Sequence, residues 1–415
     1  MTSPDSTLPN RLNLLALLGG IVASTIPAIA FLAGRLADHF VVNADYLLLP
    51  EIIGDLTSGG SLDRWVVPYA TYLVPDWPMY GLAIALTPSA SLAVAAFAFL
   101  QSLFLFAALR RLSAVFDRER RNAIALVGLT ILVSYAIGNA VPLVYLATAY
   151  SHFGTAILLI WALAFTLDWL AAPRPRLLAA SSLVSALAVL SDRLYILWFL
   201  VPAAVALGTM TLRGRLERRA LFQWLAPHVA LSVLALPVSG VLFSQRSEYD
   251  LTLGFSEPRA GFNRFVDTLR FVADYSSTLI PLIAVATIAC AWLLRRGRSP
   301  EGTPLPRSAA HFLPIYFAIA ATVTAAAQIL MVGDVAPGPR YSLPIIMLPL
   351  VLLPCLALTG WTWSTPTQRV LGARCGPTSH HRLDPRCRHG VQHRRQPNAR
   401  RIRVHRIRAR SDRID

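Results

Sequence analysis

The sequence predicts an all-α polytopic membrane protein, a transmembrane helical bundle of about ten spans, and two observations support this prediction. Of the 415 residues, 55% are hydrophobic and only 14% are charged, whereas a soluble domain carries roughly 25% charged residues. The charges are gathered in short runs between solid apolar blocks, many of which approach the roughly 20 residues that a helix needs to cross a bilayer. A transmembrane β-barrel would instead show short segments of alternating polarity.

Apolar windows bounded by charged and turn residues define the candidate spans in order. They lie near residues 12–34, 89–109, 123–138, 153–171, 177–190, 194–212, 222–243, 279–294, 312–332 and 342–363. Met79–Thr87 is also apolar but too short to cross alone, which indicates an interfacial or re-entrant segment. The spans near 177–190 and 194–212 are so close that a single bent helix is the alternative there.

The connections between spans differ in their arginine content, and the chain contains no lysine. If the N-terminus is cytoplasmic, sixteen arginines lie in cytoplasmic segments and eight lie outside. Because cytoplasmic loops are enriched in basic residues, this bias predicts a cytoplasmic N-terminus and a long first loop on the outer side.

Composition divides the chain into a transmembrane domain, residues 1–363, and a basic tail, residues 364–415. The tail holds fourteen arginines and only three acidic residues, so it carries most of the formal charge of +16, and the rest of the chain indicates no nucleic-acid partner. With no apolar period, the tail is predicted to be disordered. A frameshifted end is the favoured interpretation, and contact with anionic lipids is the alternative.

The tail also contains cysteine and histidine, but in an order that matches no standard zinc finger. Dense arginine around these residues opposes binding of a dication. The sequence therefore predicts no metal site at the cysteine and histidine residues Cys375, His380, His381, Cys387 and His389.

The first outer loop, NADYLLLPEIIGDLTSGGSLDRWVVPYATYLVPDWPMYGL, combines carboxylates, aromatic residues and prolines. Asp45, Glu51 and Asp55 are the candidate functional acids, because a carboxylate at the edge of a span can deprotonate a hydroxyl of a lipid-borne substrate. The alternative is that these acids only solvate a long loop and that the aromatic residues form an interface belt.

A short surface helix is predicted in this loop from Pro50, since proline suits the first helical position. Four-residue spacing places Ile52 and Leu56 on one face, toward lipid or protein, and stacks Glu51 and Asp55 on another. Gly59-Gly60 is predicted to end the helix.

Three further candidates lie at the outer ends of other spans. Asp192-Arg193 occupies a tight turn, where charged residues face a cavity or pair with each other, or simply form the turn. His152 opens a span and is either an interface residue or a ligand-binding one. Arg340-Tyr341 precedes the last span, and a fixed guanidinium there suits phosphate recognition, although an interfacial anchor is the alternative.

The order of these motifs resembles that of a known superfamily. An acidic DY motif follows the first span, PDWPMY leads into the second, SD occupies a mid-chain outer turn and RY precedes a late span. This is similar to the GT-C membrane glycosyltransferases, particularly bacterial members related to protein mannosyltransferases and the lipid A aminoarabinose transferase group, over roughly residues 10–363.

The resemblance implies transfer of a sugar from a polyprenyl-phosphate donor to an acceptor on the outer side of the bacterial cytoplasmic membrane. It implies a catalytic role for Asp45, with Asp55 second, as base or as ligand of a divalent metal. Arg340 would contact the donor phosphate, and the other outer-side candidates would bind substrate. Membrane lipids and the lipid-linked donor are the expected partners.

Two other classes stay open on the residues alone. Transporters and flippases place ionisable groups near the middle of the bilayer, whereas the centres of these spans are almost free of charge. A non-catalytic membrane scaffold would tolerate any of the short motifs. Acids on the outer side and an uncharged interior favour an enzyme.

Overall fold

A computed structural model gives the fold of most of the apolar part of the chain. It describes residues 7–36, 44–67, 70–87, 89–149, 151–242, 252–253, 258–296, 307–332 and 339–360. The basic tail, residues 364–415, with its cysteine and histidine residues, lies outside these ranges, so the predictions for that segment stay predictions.

The described residues form a helical bundle. Its helices in chain order are α1 (Thr7–Ser24), α2 (Ile26–Leu32), α3 (Ala44–Thr57), α4 (Asp76–Leu86), α5 (Ala90–Phe116), α6 (Arg121–Ile137), α7 (Phe153–Ala171), α8 (Pro175–Ser191), α9 (Val201–Leu212), α10 (Arg218–Leu242), α11 (Pro258–Tyr275), α12 (Leu279–Arg296), α13 (Arg307–Leu330) and α14 (Leu343–Gly360). A π-helical turn, Ile196–Leu200, precedes α9, and a two-residue antiparallel bridge joins β1 (Thr252–Leu253) to β2 (Met331–Val332).

The predicted apolar stretches coincide with these helices, so the chain is a helical membrane bundle. Among the described residues, six helices are long and apolar enough to cross a membrane by length and composition, and a bent pair, α11 with α12, raises that number to seven if it counts as one span. Three further predicted spans correspond to shorter apolar helices, Arg121–Ile137, Pro175–Ser191 and Ile196–Leu212.

The close pair of predicted spans at 177–190 and 194–212 forms two separate helices. Asp192 ends α8 in an extended conformation, with φ −157° and ψ 113°, which breaks the helical hydrogen-bond ladder. The chain turns there and re-enters the bundle, where Trp198 and Phe199 are buried. The alternative of one bent helix is therefore not adopted.

The predicted start of the helix in the first outer loop was wrong. The helix α3 begins at Ala44, so Pro50 lies inside it rather than at its first position. Leu49 and Ile52 are completely buried, and this packing outweighs the helical hydrogen bond that proline cannot donate. The helix ends just before Gly59, whose φ of +90° suits glycine, as predicted.

The lead-in to the second span is the separate helix α4, eleven residues long. At 1.5 Å per residue it reaches about 16 Å, roughly half the thickness of the hydrocarbon core. Its N-terminal residue Asp76 is buried, and Tyr80, one turn later, is 1% exposed. The segment therefore packs against the bundle, and at this length it is too short to cross a membrane alone.

Contacts between connecting segments bring several of them together at one end of the bundle. The backbone N–H of Tyr72, in the first loop, donates to the carbonyl of Ser191 at the end of α8. His152, which precedes α7, lies against Tyr341, which precedes α14, with ring centroids 5.1 Å apart. Four connections that were all predicted to be on the outer side thus meet.

The connections with the most arginine meet at the opposite ends of the same helices. Arg111 of α5 forms an ion pair with Asp168 near the end of α7. Ser308, at the start of α13, donates to the carbonyl of Leu170 over 2.7 Å. Connections that the arginine content places on the same side of the membrane therefore contact one another.

Candidate functional site

Two groups of polar residues lie at the end of the bundle where the first loop packs. The first group lines a cavity of about 620 Å³ between α3, α4 and the start of α5. Glu51 and Asp55, one turn apart on α3, both line it, as their four-residue spacing predicted. Ile52 lies on a different face and is buried, and Leu56 packs beside it.

The carboxylate of Asp55 is held in place by the loop that follows α3. The indole N–H of Trp65 donates to Oδ2 of Asp55 over 2.9 Å. The backbone N–H of Gly60 donates to the main-chain carbonyl of Asp55, and a side chain at Gly60 would collide with the carboxylate. Glycine at this position therefore leaves room for Asp55.

Tyr80 forms part of the same cavity wall, outside the predicted spans. Burial, followed by the negative charge of Glu51, raises the pKa of its phenol to about 12. Tyr80 is therefore a neutral hydrogen-bonding group at physiological pH. The cavity thus offers carboxylates, a phenol and an indole ring, which are the groups that bind the hydroxyls and the apolar face of a polyol.

The second group is centred on His152 and Asp192, which lie 40 residues apart in the sequence and are both buried. His152 Nδ1 lies 2.5 Å from Asp192 Oδ2, and Nε2 lies 3.2 Å from the hydroxyl of Tyr72. Because a carboxylate only accepts hydrogen bonds, Nδ1 carries a hydrogen. In that tautomer Nε2 accepts a hydrogen bond from the hydroxyl of Tyr72.

The segment around Tyr72 is fastened to the end of α8 by three hydrogen bonds. Tyr72 N–H donates to Ser191 O (2.9 Å), Val74 N–H donates to Ser191 Oγ (2.7 Å), and Thr71 Oγ1 donates to Leu190 O (3.1 Å). Tyr72 adopts φ +50°, which is uncommon for a residue with a side chain. These bonds hold its phenol on the imidazole.

Asp192 serves both the turn and the histidine. Its Oδ1 accepts the backbone N–H of Leu194 (3.0 Å), which stabilises the turn, while Oδ2 contacts His152. The adjacent Arg193 is exposed. The expected turn role of Asp192 therefore applies, and its contact with His152 is one that the sequence did not indicate.

Aromatic rings enclose the imidazole of His152. The ring centroids of Tyr341 and Trp198 lie 5.1 and 5.8 Å away. The guanidinium carbon of Arg340 lies 5.5 Å from the ring centroid of Tyr341. The structure thus brings together His152, Asp192 and Tyr341, with half-buried Arg340 beside them.

The two groups flank one apolar cluster. Tyr72, from the histidine group, and Tyr80, from the cavity wall, both pack in it with Leu49 and Ile53 of α3. Asp45 lies on the first turn of the same helix, but its side chain is outside the described part of the structure. Its predicted role is therefore not tested by these contacts.

Sequence reasoning missed four residues of this region as site residues: Tyr72, Asp76, Ser191 and Trp198. Asp76 was seen only as one of many loop acids, yet it is 1% exposed and lies against Gly154, where a side chain would collide with its carboxylate. The prolines on both sides of Asp76 and Trp77 were the available signal, since they indicate a constrained segment.

Within the described residues, no group of three or more histidine, cysteine, aspartate or glutamate side chains is arranged to hold a metal ion. These described residues thus contain no ligand set for the divalent metal that is expected to assist the reaction.

No known family model matches the chain, and no curated protein is significantly similar to it.

Proposed function

We propose that the protein is a membrane glycosyltransferase that moves a sugar from a polyprenyl-phosphate donor to an acceptor on the outer side of a bacterial cytoplasmic membrane. The observation that carries the proposal is the cavity at the bundle end, which presents Glu51 and an oriented Asp55 beside aromatic side chains. A carboxylate there is placed to accept a proton from a hydroxyl.

The proposed topology has ten spans and a cytoplasmic N-terminus. Six long helices, the short helices α6 and α8, the segment Ile196–Leu212 and α12 supply the spans. Under this topology both polar groups lie on the outer side. The arginine bias supports this topology, and so do the contacts between loops that are predicted to lie on the same side of the membrane.

In the proposed reaction the acceptor hydroxyl attacks the anomeric carbon of the lipid-linked sugar. Asp55, or Asp45 on the preceding turns of α3, accepts the hydroxyl proton as the new C–O bond forms. The bond between the anomeric carbon and the phosphate oxygen breaks, and the lipid phosphate leaves with the electron pair. Attack opposite to the leaving group inverts the anomeric configuration.

The remaining residues have binding roles in this proposal. Arg340 stabilises the departing phosphate, because a guanidinium forms charge-assisted hydrogen bonds with phosphate oxygens. His152, hydrogen-bonded to Asp192, holds the Tyr341 ring that lies beside Arg340. Glu51 binds sugar hydroxyls in the cavity, and Arg193 contacts headgroups at the exposed turn.

The test is transfer of radiolabelled sugar from polyprenyl-phosphate sugars by the detergent-purified protein. Asp55→Asn and Asp45→Asn are compared with Asp63→Asn, an exposed acid of the same loop. If one of the first two is the base, its variant should lose about 100-fold or more of the rate, the usual size of a general-base contribution. Equal rates for all three variants would refute the assignment.

A transporter is the second candidate, and one observation favours it. His228, Ser181 and Thr166 form a buried hydrogen-bonded chain between α10, α8 and α7, with distances of 3.0 Å at each step. Polar groups inside a bundle mark transport pathways in many membrane proteins. Absence of sugar transfer, combined with movement of a fluorescent polyprenyl phosphate across reconstituted vesicles, would select this alternative.

A further inference from the structure

Helix α11 has its polar and apolar residues on separate faces. Arg259, Asp267, Arg270 and Asp274 are exposed and, at 100° per residue, fall within one sector of about 80°. Arg270 Nη1 also lies 3.1 Å from Asp267 Oδ1, an ion pair on the exposed side of the helix. This face is suited to water and headgroups.

A second face of α11 is packed against the protein. Gly261, Thr268 and Val272 are buried, and they recur at intervals of seven and four residues. A side chain at Gly261 would collide with the backbone carbonyl of Ile329 near the end of α13. Close approach to α13 therefore fixes which way the rest of α11 points.

A third face of α11 is apolar and not covered by the described part of the protein. Phe262 is 53% exposed and Leu269 is 39% exposed, two turns apart on one stripe. Val266 and Ala273, half-buried, lie on the same stripe. The stripe lies between the packed face and the charged face.

The orientation of α11 relative to α12 indicates what covers this stripe. The helix axis bends by 107° between α11 and α12, so α11 lies nearly across the axis of α12. The apolar side chains Val285, Ile288 and Trp292 of α12 are 61%, 70% and 50% exposed, as expected for contact with lipid chains. A helix at right angles to a span lies along the membrane plane.

We propose that α11 is an interfacial helix whose Phe262–Val266–Leu269–Ala273 stripe inserts into the bilayer at the boundary between headgroups and acyl chains. Its charged face then lies among the headgroups, the arrangement of helices that lie in a membrane surface. The 107° bend thus marks a surface helix followed by a span, rather than one broken span.

The position of α11 also connects the membrane surface to the polar groups. Besides α13, α11 packs on the turn Pro339–Ser342, which carries Arg340 and Tyr341. Insertion of the stripe would therefore hold this turn against His152. The inference does not depend on which reaction the site performs.

Site-directed spin labelling tests the inference in vesicles of phosphatidylethanolamine and phosphatidylglycerol. One cysteine at a time is introduced at Phe262 or Leu269 on the apolar stripe and at Asn263 or Arg270 on the charged side. The tail cysteines are replaced by serine, and the remaining Cys290 and Cys355 are buried. Power saturation compares collisions with oxygen, which concentrates in the acyl chains, and with a water-soluble nickel chelate. The chain without added cysteine gives the labelling background.

The expected result is an oxygen-to-nickel collision ratio about threefold or more higher at 262 and 269 than at 263 and 270. Val285→Cys on α12 is the lipid-facing reference, and Ser58→Cys in the first loop is the water-facing one. If Phe262→Cys or Leu269→Cys no longer elutes like the unlabelled protein, Val266→Cys is used in its place.

Two results would overturn the inference. Nickel collisions at 262 and 269 equal to those at Ser58→Cys would show a solvated stripe. Shielding of both positions from both reagents, with spin–spin broadening that disappears on dilution with unlabelled protein, would show that a second copy covers the stripe.

Discussion

At the scale of single residues, the pair His152–Asp192 is the contact whose loss has the clearest energetic consequence. Both side chains are buried, and each supplies the other's principal hydrogen-bond partner. Removing one member leaves Nδ1 of His152 or Oδ2 of Asp192 without this hydrogen bond in a low-dielectric surrounding, which costs more than the pair contributes net. The two changes should therefore be strongly non-additive.

We predict that His152→Ala and Asp192→Ala each lower the free energy of unfolding by about 2–4 kcal/mol. The double variant should be destabilised by about 1–3 kcal/mol less than the sum of the single changes. Midpoints of unfolding in titrations of dodecylmaltoside micelles with dodecyl sulfate measure all three variants.

The exposed pair Arg270–Asp267 provides the matched control, because surface ion pairs contribute little. Arg270→Ala should change the free energy of unfolding by less than about 1 kcal/mol. Additivity of the His152 and Asp192 changes within about 0.5 kcal/mol would show that the two side chains do not depend on each other.

The sequence predicted the separate members of this group but not their contact. His152, Asp192 and Tyr341 each stood at the predicted outer end of a span, which limits them to one side of the bundle. Which of them touch depends on how α7, α8 and α14 pack, and no local pattern encodes that. Tyr72 carried no signal, since its positive φ is set by hydrogen bonds to Ser191.

At the scale of helices, apolar runs predicted the positions of the apolar helices well because burial in lipid or core depends on composition over many residues. The start of α3 was mispredicted because a local rule for proline was applied at Pro50. Packing of Leu49 and Ile52 in the core decided the helix instead. Local rules thus failed where long-range contacts compete with them.

Glycine in helices provides a prediction at this scale. In Gly261→Ala the new Cβ would collide with the carbonyl of Ile329, so α11 must move away from α13. We expect a loss of about 1–3 kcal/mol in stability, the range for overpacking. The unfolding midpoint in the same detergent titration measures it.

Gly208→Ala in α9 is the control for Gly261→Ala, since a Cβ there meets no atom within 4 Å. Alanine favours the helix over glycine by roughly 0.5–1 kcal/mol, so this variant should be as stable as the unchanged protein or more so. Equal behaviour of the two variants would show that α11 does not approach α13 closely.

At the scale of the whole molecule, polar groups are distributed asymmetrically along the bundle. The end that holds the first loop carries the carboxylate-lined cavity and the His152 group, while the other end carries the arginine-rich connections such as Arg118–Arg121. The arginine content of that second end supports the proposed orientation, because cytoplasmic loops are enriched in basic residues.

The orientation is testable in whole cells with a membrane-impermeant maleimide. Ser58→Cys lies in the first loop, near the cavity, and Arg118→Cys lies in the connection between α5 and α6; both positions are exposed. With the tail cysteines replaced by serine, Ser58→Cys should react in intact spheroplasts, and Arg118→Cys should react only after the membrane is permeabilised. The reverse pattern would invert the topology and move both polar groups to the cytoplasm, where a lipid-linked donor on the outer leaflet would be out of reach.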